Sequence, residues 1–131
     1  MTRGGNSMMK ISEVSKLVNI PSATLRYYEQ IGLLDNIKKE HGIRNYQQQD
    51  IEKINFIICM KKAGFSLDSI VQFVNLAKDK KQGEKRRLEM LLKQKDILLQ
   101  EMKEKEETLN FLNYKIDLYT EKVEKQNKKE L

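Results

Sequence analysis

A long heptad repeat over the last third of the chain most constrains its fold. From Leu88 onward, alternating steps of three and four residues meet apolar side chains as far as Val123, and only Lys95 and Lys105 interrupt the series. No proline or glycine breaks this stretch, so one helix over residues 84–125 is predicted. Alone, that helix would leave its apolar stripe in water, so a partner helix is required. The predicted contact residues are Leu88, Leu91, Leu98, Met102, Leu109, Leu112, Ile116, Tyr119 and Val123.

The partner helix has two possible sources. A hairpin within one chain would need a second helix of comparable length, and the sequence contains none. A symmetric pair of identical chains is the simplest alternative. We therefore expect a homodimer joined through this helix, with residues 79–83 as the junction to the preceding domain and residues 126–131 as a tail.

Two short helices are predicted near the start of a domain over residues 9–78. The segment ISEVSKLVNIP offers Ser12 as an N-cap and Val14, Leu17 and Val18 at helical spacing, and it stops before its proline. The segment SATLRYYEQIG follows, with Ser22 as the predicted cap of a second helix. Two short helices joined by a tight turn form a helix-turn-helix.

The second helix has an inner and an outer face. Leu25 and Tyr28 fall on the side predicted to be buried, and Gly32 suits the left-handed position just after the helix. Arg26 and Tyr27 then project outward, beside Thr24. An arginine on such a helix can bond guanine O6 and N7 or hold a phosphate, which suits a DNA major groove.

The middle of the domain predicts a small hairpin and two more helices. LLDNIKKEHGIRNYQ contains two short extended runs around His41 and Gly42, which can reverse the chain as a β-hairpin wing. QQDIEKINFIICMKKAG returns to helical spacing and ends at Gly64, and Ser66 suits the cap of a fourth helix with Leu67, Ile70, Val71 and Val74 on one face. The predicted fold class is mainly α: a winged helix-turn-helix followed by a long dimerisation helix.

The segments KISEVSKLVNIPSATLRYYEQIGLL, GIRNY and KKAGFSLDSI together resemble the DNA-binding domain of the MerR family of bacterial transcription regulators. The resemblance implies a winged helix-turn-helix homodimer joined by an antiparallel coiled coil. It also implies binding to a pseudo-palindromic site in an overlong promoter spacer. Activation would then kink and untwist the DNA so that RNA polymerase engages both promoter elements.

Several residues are candidates for contact with DNA. Arg44 and Tyr46 align with the wing R-x-Y of the family and are predicted to grip phosphate together. For Tyr28 a core position is favoured over a contact with DNA, and a solvated turn is an equal alternative for Lys38 and Lys39. The full set is Ser12, Thr24, Arg26, Tyr27, Tyr28, Lys38, Lys39, Arg44, Tyr46, Lys61 and Lys62.

The single cysteine, Cys59, is the candidate sensor. The sequence shows neither the extra cysteines of metal sensors in this family nor a large C-terminal drug-binding domain. It resembles instead the short AdhR-like branch, in which one cysteine on the third helix is associated with a response to aldehydes and related electrophiles. The alternative is a structural thiol, because Phe56, Ile57, Ile58 and Met60 around it are apolar and burial among them would leave it inert.

Other classes of function fit the sequence less well. It has no glycine-rich phosphate loop and no nucleophile–base pair, and its lone His41 is read as a hairpin-tip residue, so an enzyme, a cofactor and a metal site are not expected. A net charge of +6 admits nucleic acid as a partner. A coiled-coil adaptor with a protein-binding head remains the alternative.

Composition also bears on where the protein works. One cysteine excludes an internal disulfide and, without an apolar run long enough for a bilayer, favours the cytoplasm. Residues 1–8 read as an appended leader before a start at Met8 or Met9.

Overall fold

The computed structural model describes residues 9–130, so the predicted leader over residues 1–8 lies outside the described part. The prediction of a mainly α fold with a two-stranded wing and a long C-terminal helix is confirmed. In chain order the elements are α1 (Ile11–Val18), α2 (Ser22–Gln30), β1 (Lys38–Glu40), β2 (Ile43–Asn45), α3 (Gln48–Lys62), α4 (Leu67–Asn75), a 3-10 turn (Leu76–Lys78) and α5 (Gly83–Glu130).

Two of the predicted N-caps are wrong. In α1 the cap position belongs to Lys10, whose backbone N–H donates to Glu13 Oε1 at 2.9 Å, and Ser12 lies inside the first turn. In α2 the cap position belongs to Pro21, and Ser22 is already the first helical residue. Both differences move the boundary by one or two residues, which is the usual uncertainty at a helix end. The third predicted cap, Ser66 of α4, is confirmed by its hydrogen bond from the N–H of Ser69 at 3.1 Å.

Glycine ends α2 as predicted. Gly32 has φ +86°, a conformation that L side chains rarely adopt. Its N–H donates to the carbonyl of Glu29, and the N–H of Leu33 donates to the carbonyl of Tyr28 at 2.9 Å. This pair of bonds is a Schellman motif, and it sends the chain from α2 toward the wing. Gly64 ends α3 with the same pattern.

The wing is a two-residue hairpin. His41 (φ 53°) and Gly42 (φ 79°) both have positive φ, as a type I′ turn requires, and Lys39 pairs with Arg44 across the antiparallel strands. Beyond β2, Tyr46 forms a bridge with Met9, two residues before α1 begins. The strand therefore joins the hairpin to the start of the helix-turn-helix.

The buried core lies within residues 1–92, one of the two compact units of the chain. Of the apolar residues noted at helical spacing on α1, Val14 is buried, whereas Leu17 is 60% exposed. On α3 the side chain of Ile57 is buried in the core, whereas that of its neighbour Ile58 is only half-buried. The core residues are Val14, Leu25, Tyr28, Leu33, Leu34, Tyr46, Ile51, Ile54, Ile57, Met60, Phe65, Ile70 and Phe73.

Residues 79–82 form an ordered turn between the 3-10 turn and α5. The backbone N–H groups of Gln82 and Lys81 donate to Asp79 Oδ1 at 3.0 and 3.1 Å. These bonds lower the pKa of Asp79, because they stabilise its charged form. The aspartate thus organises the chain just before α5 begins.

The start of α5 is fitted closely to α4 and the 3-10 turn. A Cβ atom at Gly83 would lie 2.1 Å from the Leu76 carbonyl oxygen, so only glycine allows this approach. Arg87 Nε donates to the carbonyl of Phe73 at 3.0 Å, and its guanidinium lies 4.8 Å from the Phe73 ring centroid. The positive charge of Arg87 at the C-terminus of α4 is also stabilised by the dipole of that helix. Sequence reasoning singled out neither contact.

The second compact unit, residues 93–131, is described along α5 alone. The helix continues to Glu130, so the predicted tail over residues 126–131 is helical through that residue. Every predicted seam residue is exposed in the single chain; Leu109, for example, is 55% exposed. Further exposed apolar residues on α5 lie outside the predicted seam: Leu92, Ile97, Leu99, Phe111 and Tyr114.

A carboxylate on α2 fastens the wing to the helix-turn-helix. Glu29 Oε2 accepts a bond from Arg44 Nε at 2.6 Å and one from the Tyr46 hydroxyl at 3.2 Å. Burial raises the pKa of Tyr46, and the charge of Glu29 and the hydrogen bond to it raise the pKa further. The phenol therefore stays protonated at neutral pH and keeps donating to Glu29.

Replacing this carboxylate should loosen the domain. Glu29→Ala leaves the buried Tyr46 hydroxyl and the half-buried Arg44 without their acceptor, and we expect the free energy of unfolding to fall by about 1–3 kcal/mol. Gln30→Ala, the next residue on the same helix and exposed, is the matched control. Urea denaturation followed by circular dichroism measures both. Equal midpoints for the two variants would contradict the role given to Glu29.

Candidate nucleic-acid interface

The outer face of α2 carries the predicted recognition residues. Arg26 is exposed, Tyr27 is 48% exposed and Thr24 is half-buried. Leu25 is fully buried beneath them. The predicted orientation of the helix is confirmed, because its apolar positions face the core and leave a guanidinium and a phenol at the surface.

Two tyrosines among the candidate DNA contacts lie in the core instead. Tyr28 is 3% exposed and packs under α2, and Tyr46 is 0% exposed with its hydroxyl turned to Glu29. For Tyr28 the predicted core position is confirmed, and a contact with DNA is not available to it. For Tyr46 the predicted contact with DNA is wrong in this conformation, because its side chain does not reach the surface. Tyr46 also follows the end of β2, where it forms a bridge with Met9.

The same contact changes the interpretation of Arg44. Its side chain is 29% exposed and is paired with Glu29, so its guanidinium is directed to α2 and is not freely available. Arg44 and Tyr46 share one acceptor, but it is a carboxylate of their own chain and not the predicted phosphate. Sequence reasoning missed Glu29 because its partners are 15 and 17 residues away and meet it only in the folded chain.

The remaining candidates are exposed. Lys38 and Lys39 lie on β1, at the outer strand of the wing. Lys61 and Lys62 occupy the last turn of α3, and Ser12 lies in the first turn of α1. These positions leave every one of the five side chains accessible to a ligand from solvent.

The link from the wing into α3 is buried and polar. Asp50 is 1% exposed, and its Oδ2 accepts the backbone N–H of Gln47 at 2.8 Å at the start of the helix. Among residues 9–130, Asp50 Oδ1 and Asn45 Oδ1 are buried without a hydrogen-bond partner. A carboxylate near the N-terminus of a helix is stabilised by the helix dipole. Asp50 therefore helps to fix where α3 begins after the wing.

Cys59 lies on the outer side of α3. Its thiol is exposed, whereas Ile57 and Met60 on the same turn face the core. The burial that would have made it inert is therefore absent. Phe56, three residues earlier and also exposed, is its neighbour on the helix surface.

Within residues 9–130, no three histidine, cysteine, aspartate or glutamate side chains are grouped so that they could hold a metal ion. None of the helices in that range combines the length and the apolar composition that a bilayer crossing demands.

Two family models match the sequence. The model described as MerR HTH family regulatory protein matches residues 9–76, and the model described as MerR, DNA binding matches residues 51–113. The matched residues include the helix-turn-helix, the wing and part of α5.

Two curated relatives come from Bacillus subtilis (strain 168). The HTH-type transcriptional regulator AdhR is 44% identical over 69 residues, which are 52% of this chain and 49% of AdhR. The HTH-type transcriptional regulator YfmP is 34% identical over 121 residues, which are 88% of this chain and 80% of YfmP. The chain thus matches about half the length of AdhR but most of YfmP.

One solved structure shares the fold over most of both chains. It is the crystal structure of HiNmlR, a MerR family regulator lacking the sensor domain, bound to promoter DNA, with a TM-score of 0.76 and 24% identity over 88% of this chain and 92% of that one. At this identity the likeness concerns the fold. Given the match of the family models and of YfmP, the chain belongs to the MerR family of helix-turn-helix transcriptional regulators, which are DNA-binding proteins and not enzymes.

Proposed function

We propose that the chain regulates transcription as a homodimer that reads a pseudo-palindromic promoter site with two copies of α2. The observation that carries this proposal is the exposed Arg26 and Tyr27 on a helix fastened to the wing through Glu29. A helix held in this way presents its side chains in one orientation, so little freedom is lost on binding.

Within this proposal each surface has its own task. Arg26 bonds a guanine edge or a phosphate in the major groove, and Tyr27 adds a flat ring and a hydroxyl beside it. Lys38 and Lys39 bring the wing onto the phosphate backbone, and Arg44 positions that wing from behind. Phosphate contacts from further residues would add a salt-dependent, sequence-independent contribution; these residues are Ser12, Thr24, Lys61 and Lys62.

The proposed dimer is formed by the heptad seam of α5, paired as an antiparallel coiled coil. Seam residues such as Leu98, Met102 and Leu112 are exposed in the single chain and would be buried against a second copy. Symmetric pairing would supply two recognition helices, whose half-sites must be a whole number of helical turns apart. A pseudo-palindromic operator has that form.

The proposed mode of activation is distortion of the promoter spacer. Bending a site of this size costs about 1–6 kcal/mol, so the two heads must hold the DNA on both sides of the bend. Backbone contacts from two wings and two recognition helices supply such a hold. RNA polymerase, acting on the distorted promoter in the cytoplasm, is then the second macromolecular partner.

The proposed sensing step takes place at Cys59. The thiolate adds to the carbonyl carbon of an aldehyde and forms a C–S bond, the carbonyl π electrons move to oxygen, and that oxygen takes a proton to give a hemithioacetal. Exposure of the thiol on α3 and 44% identity to AdhR over 69 residues support placing the chain in the AdhR-like branch. The adduct would favour one of two arrangements of α3 within the head, the compact unit that ends at residue 92.

Removing the guanidinium should weaken DNA binding. Each substitution removes two contacts from the proposed homodimer, so we expect Arg26→Ala to lower affinity for a pseudo-palindromic promoter fragment by about 100-fold or more. We expect Lys39→Ala to reduce the slope of log K against log salt concentration by about 1.8, which is about 0.9 for each lost phosphate contact. Lys103→Ala, an exposed lysine on α5, is the matched control. Gel shifts at two salt concentrations measure all three. A fragment that is retained at neither concentration would favour the adaptor instead.

Charge in the seam should separate the dimer. Leu109→Glu places a carboxylate where the partner helix packs, and we expect the dissociation constant of the dimer to rise by about 100-fold or more. Asn110→Glu adds the same charge one residue away, outside the seam, and should leave the dimer intact. Sedimentation velocity at micromolar concentration separates the two cases. A monomeric parent protein would refute the proposed assembly.

The response to electrophiles should depend on one sulfur atom. With Cys59→Ser, a promoter reporter exposed to formaldehyde should lose its induction, because a serine hydroxyl is not appreciably ionised at neutral pH and adds poorly to the carbonyl. Gel shifts with the same variant should show unchanged affinity for the promoter in the absence of aldehyde. Full induction with Cys59→Ser would exclude this cysteine as the sensor.

A further inference from the structure

A cavity of about 270 Å³ lies between the loop after α2, helix α3, the end of α4 and the 3-10 turn that precedes α5. It lies wholly within the head, residues 1–92. The lining includes Leu33, Asp35, Lys53, Phe56, Val74 and Lys78. No role proposed above uses this cavity.

The walls of the cavity are apolar and fixed. Leu33 and Ile57 are buried core residues, and Val74 is half-buried. The Phe56 ring packs against Phe73 with ring centroids 5.8 Å apart, at a tilt of 33°. Because Phe73 is itself held under Arg87, the aromatic wall is preformed and does not have to be ordered by a ligand.

The rim of the cavity carries an excess of positive charge. Lys53 Nζ lies 3.0 Å from Asp35 Oδ1, and that hydrogen bond and charge lower the pKa of Asp35. The charge of Lys78 acts on the same carboxylate. Asp35 is the sole carboxylate among the described lining residues, so two ammonium groups share one negative charge.

We propose that this cavity binds a small apolar anion, with its apolar body against Phe56 and Val74 and its carboxylate at Lys78. Lys53 is already paired with Asp35, so Lys78 is the ammonium with the greater need of a counterion. Ligand sites for larger molecules measure roughly 300–1,000 Å³, so this one suits a compound with a single ring. The two ammonium groups would repel a cation, and a neutral compound would leave Lys78 without a counterion.

Such a ligand would contact four parts of the first compact unit: the loop after α2, helix α3 that carries Cys59, the end of α4, and the 3-10 turn that leads into α5. Binding would therefore favour one arrangement of these elements over another, which makes the cavity an effector site. This consequence for DNA binding rests on the proposed function, whereas ligand binding itself does not.

Benzoate is a suitable probe because it combines one ring with one carboxylate. Titrated into the ¹⁵N-labelled full chain, it should shift the amide signals of Gly32, Leu33 and Ala77 saturably, with sodium chloride at equal ionic strength as the reference. Benzamide, which has the same shape but no charge, should bind about 10-fold more weakly, because its neutral carbonyl accepts a weaker hydrogen bond from the Lys78 ammonium than a carboxylate does. Gel shifts with and without benzoate report the effect on DNA separately.

Variants locate the site. Lys78→Gln should weaken benzoate binding by about 10-fold, and Lys85→Gln, an exposed lysine on α5 that does not line the cavity, should not change it. Ala77→Leu fills the cavity from an exposed position and should abolish the shifts while the melting temperature stays unchanged.

Three results would overturn the inference: no saturable shifts with benzoate, equal affinity for benzamide, or equal effects of Lys78→Gln and Lys85→Gln. Each leaves the proposed function standing if the promoter fragment is still retained in the gel shifts. If the promoter fragment is not retained even in the absence of benzoate, while benzoate still binds the chain, the proposed function alone is overturned.

Discussion

The carboxylate of Glu29 holds α2 and the wing together, the two elements proposed to face DNA. It receives Arg44 and Tyr46 from the wing side while it is itself fixed on α2, so one side chain determines how the recognition helix and the hairpin sit against each other. Burial makes this contact strong, because water competes less for the groups that form it. The surface of α2 can then carry Arg26 and Tyr27, residues that contribute little to the core, without loss of order in the helix beneath them.

Local chemistry made much of the fold predictable. Gly32 and Gly64 end helices because the chain needs a positive φ there, and His41–Gly42 supplies the two positive φ values of a tight hairpin. The heptad repeat of α5 predicted both the helix and its exposed stripe. Each of these features depends on residues close in sequence, so spacing alone was sufficient to find it.

Contacts between distant parts of the chain were not predictable in the same way. Arg44 and Tyr46 looked like a free phosphate grip, and only the folded chain shows that Glu29 occupies them. Gly83 looked like part of a loose junction, yet its missing Cβ is what lets α5 begin beside the Leu76 carbonyl. The role of a polar or small residue depends on which residue it contacts in the folded chain. Periodicity in the sequence does not identify that contact, so the role cannot be predicted from it.

Helix α3 carries both the proposed sensor thiol and a wall of the proposed ligand cavity, and it is packed against the start of α5 through Phe73. Cys59 and Phe56 are neighbours on its outer side, and Phe56 packs on Phe73, which in turn lies under Arg87 at the start of α5. An adduct on the thiol and a ligand against Phe56 would therefore act on one packed series of side chains. Since a packed core changes between discrete arrangements more readily than it deforms gradually, either event would shift the same equilibrium. The two inputs would then be coupled by thermodynamic necessity, each altering the affinity for the other.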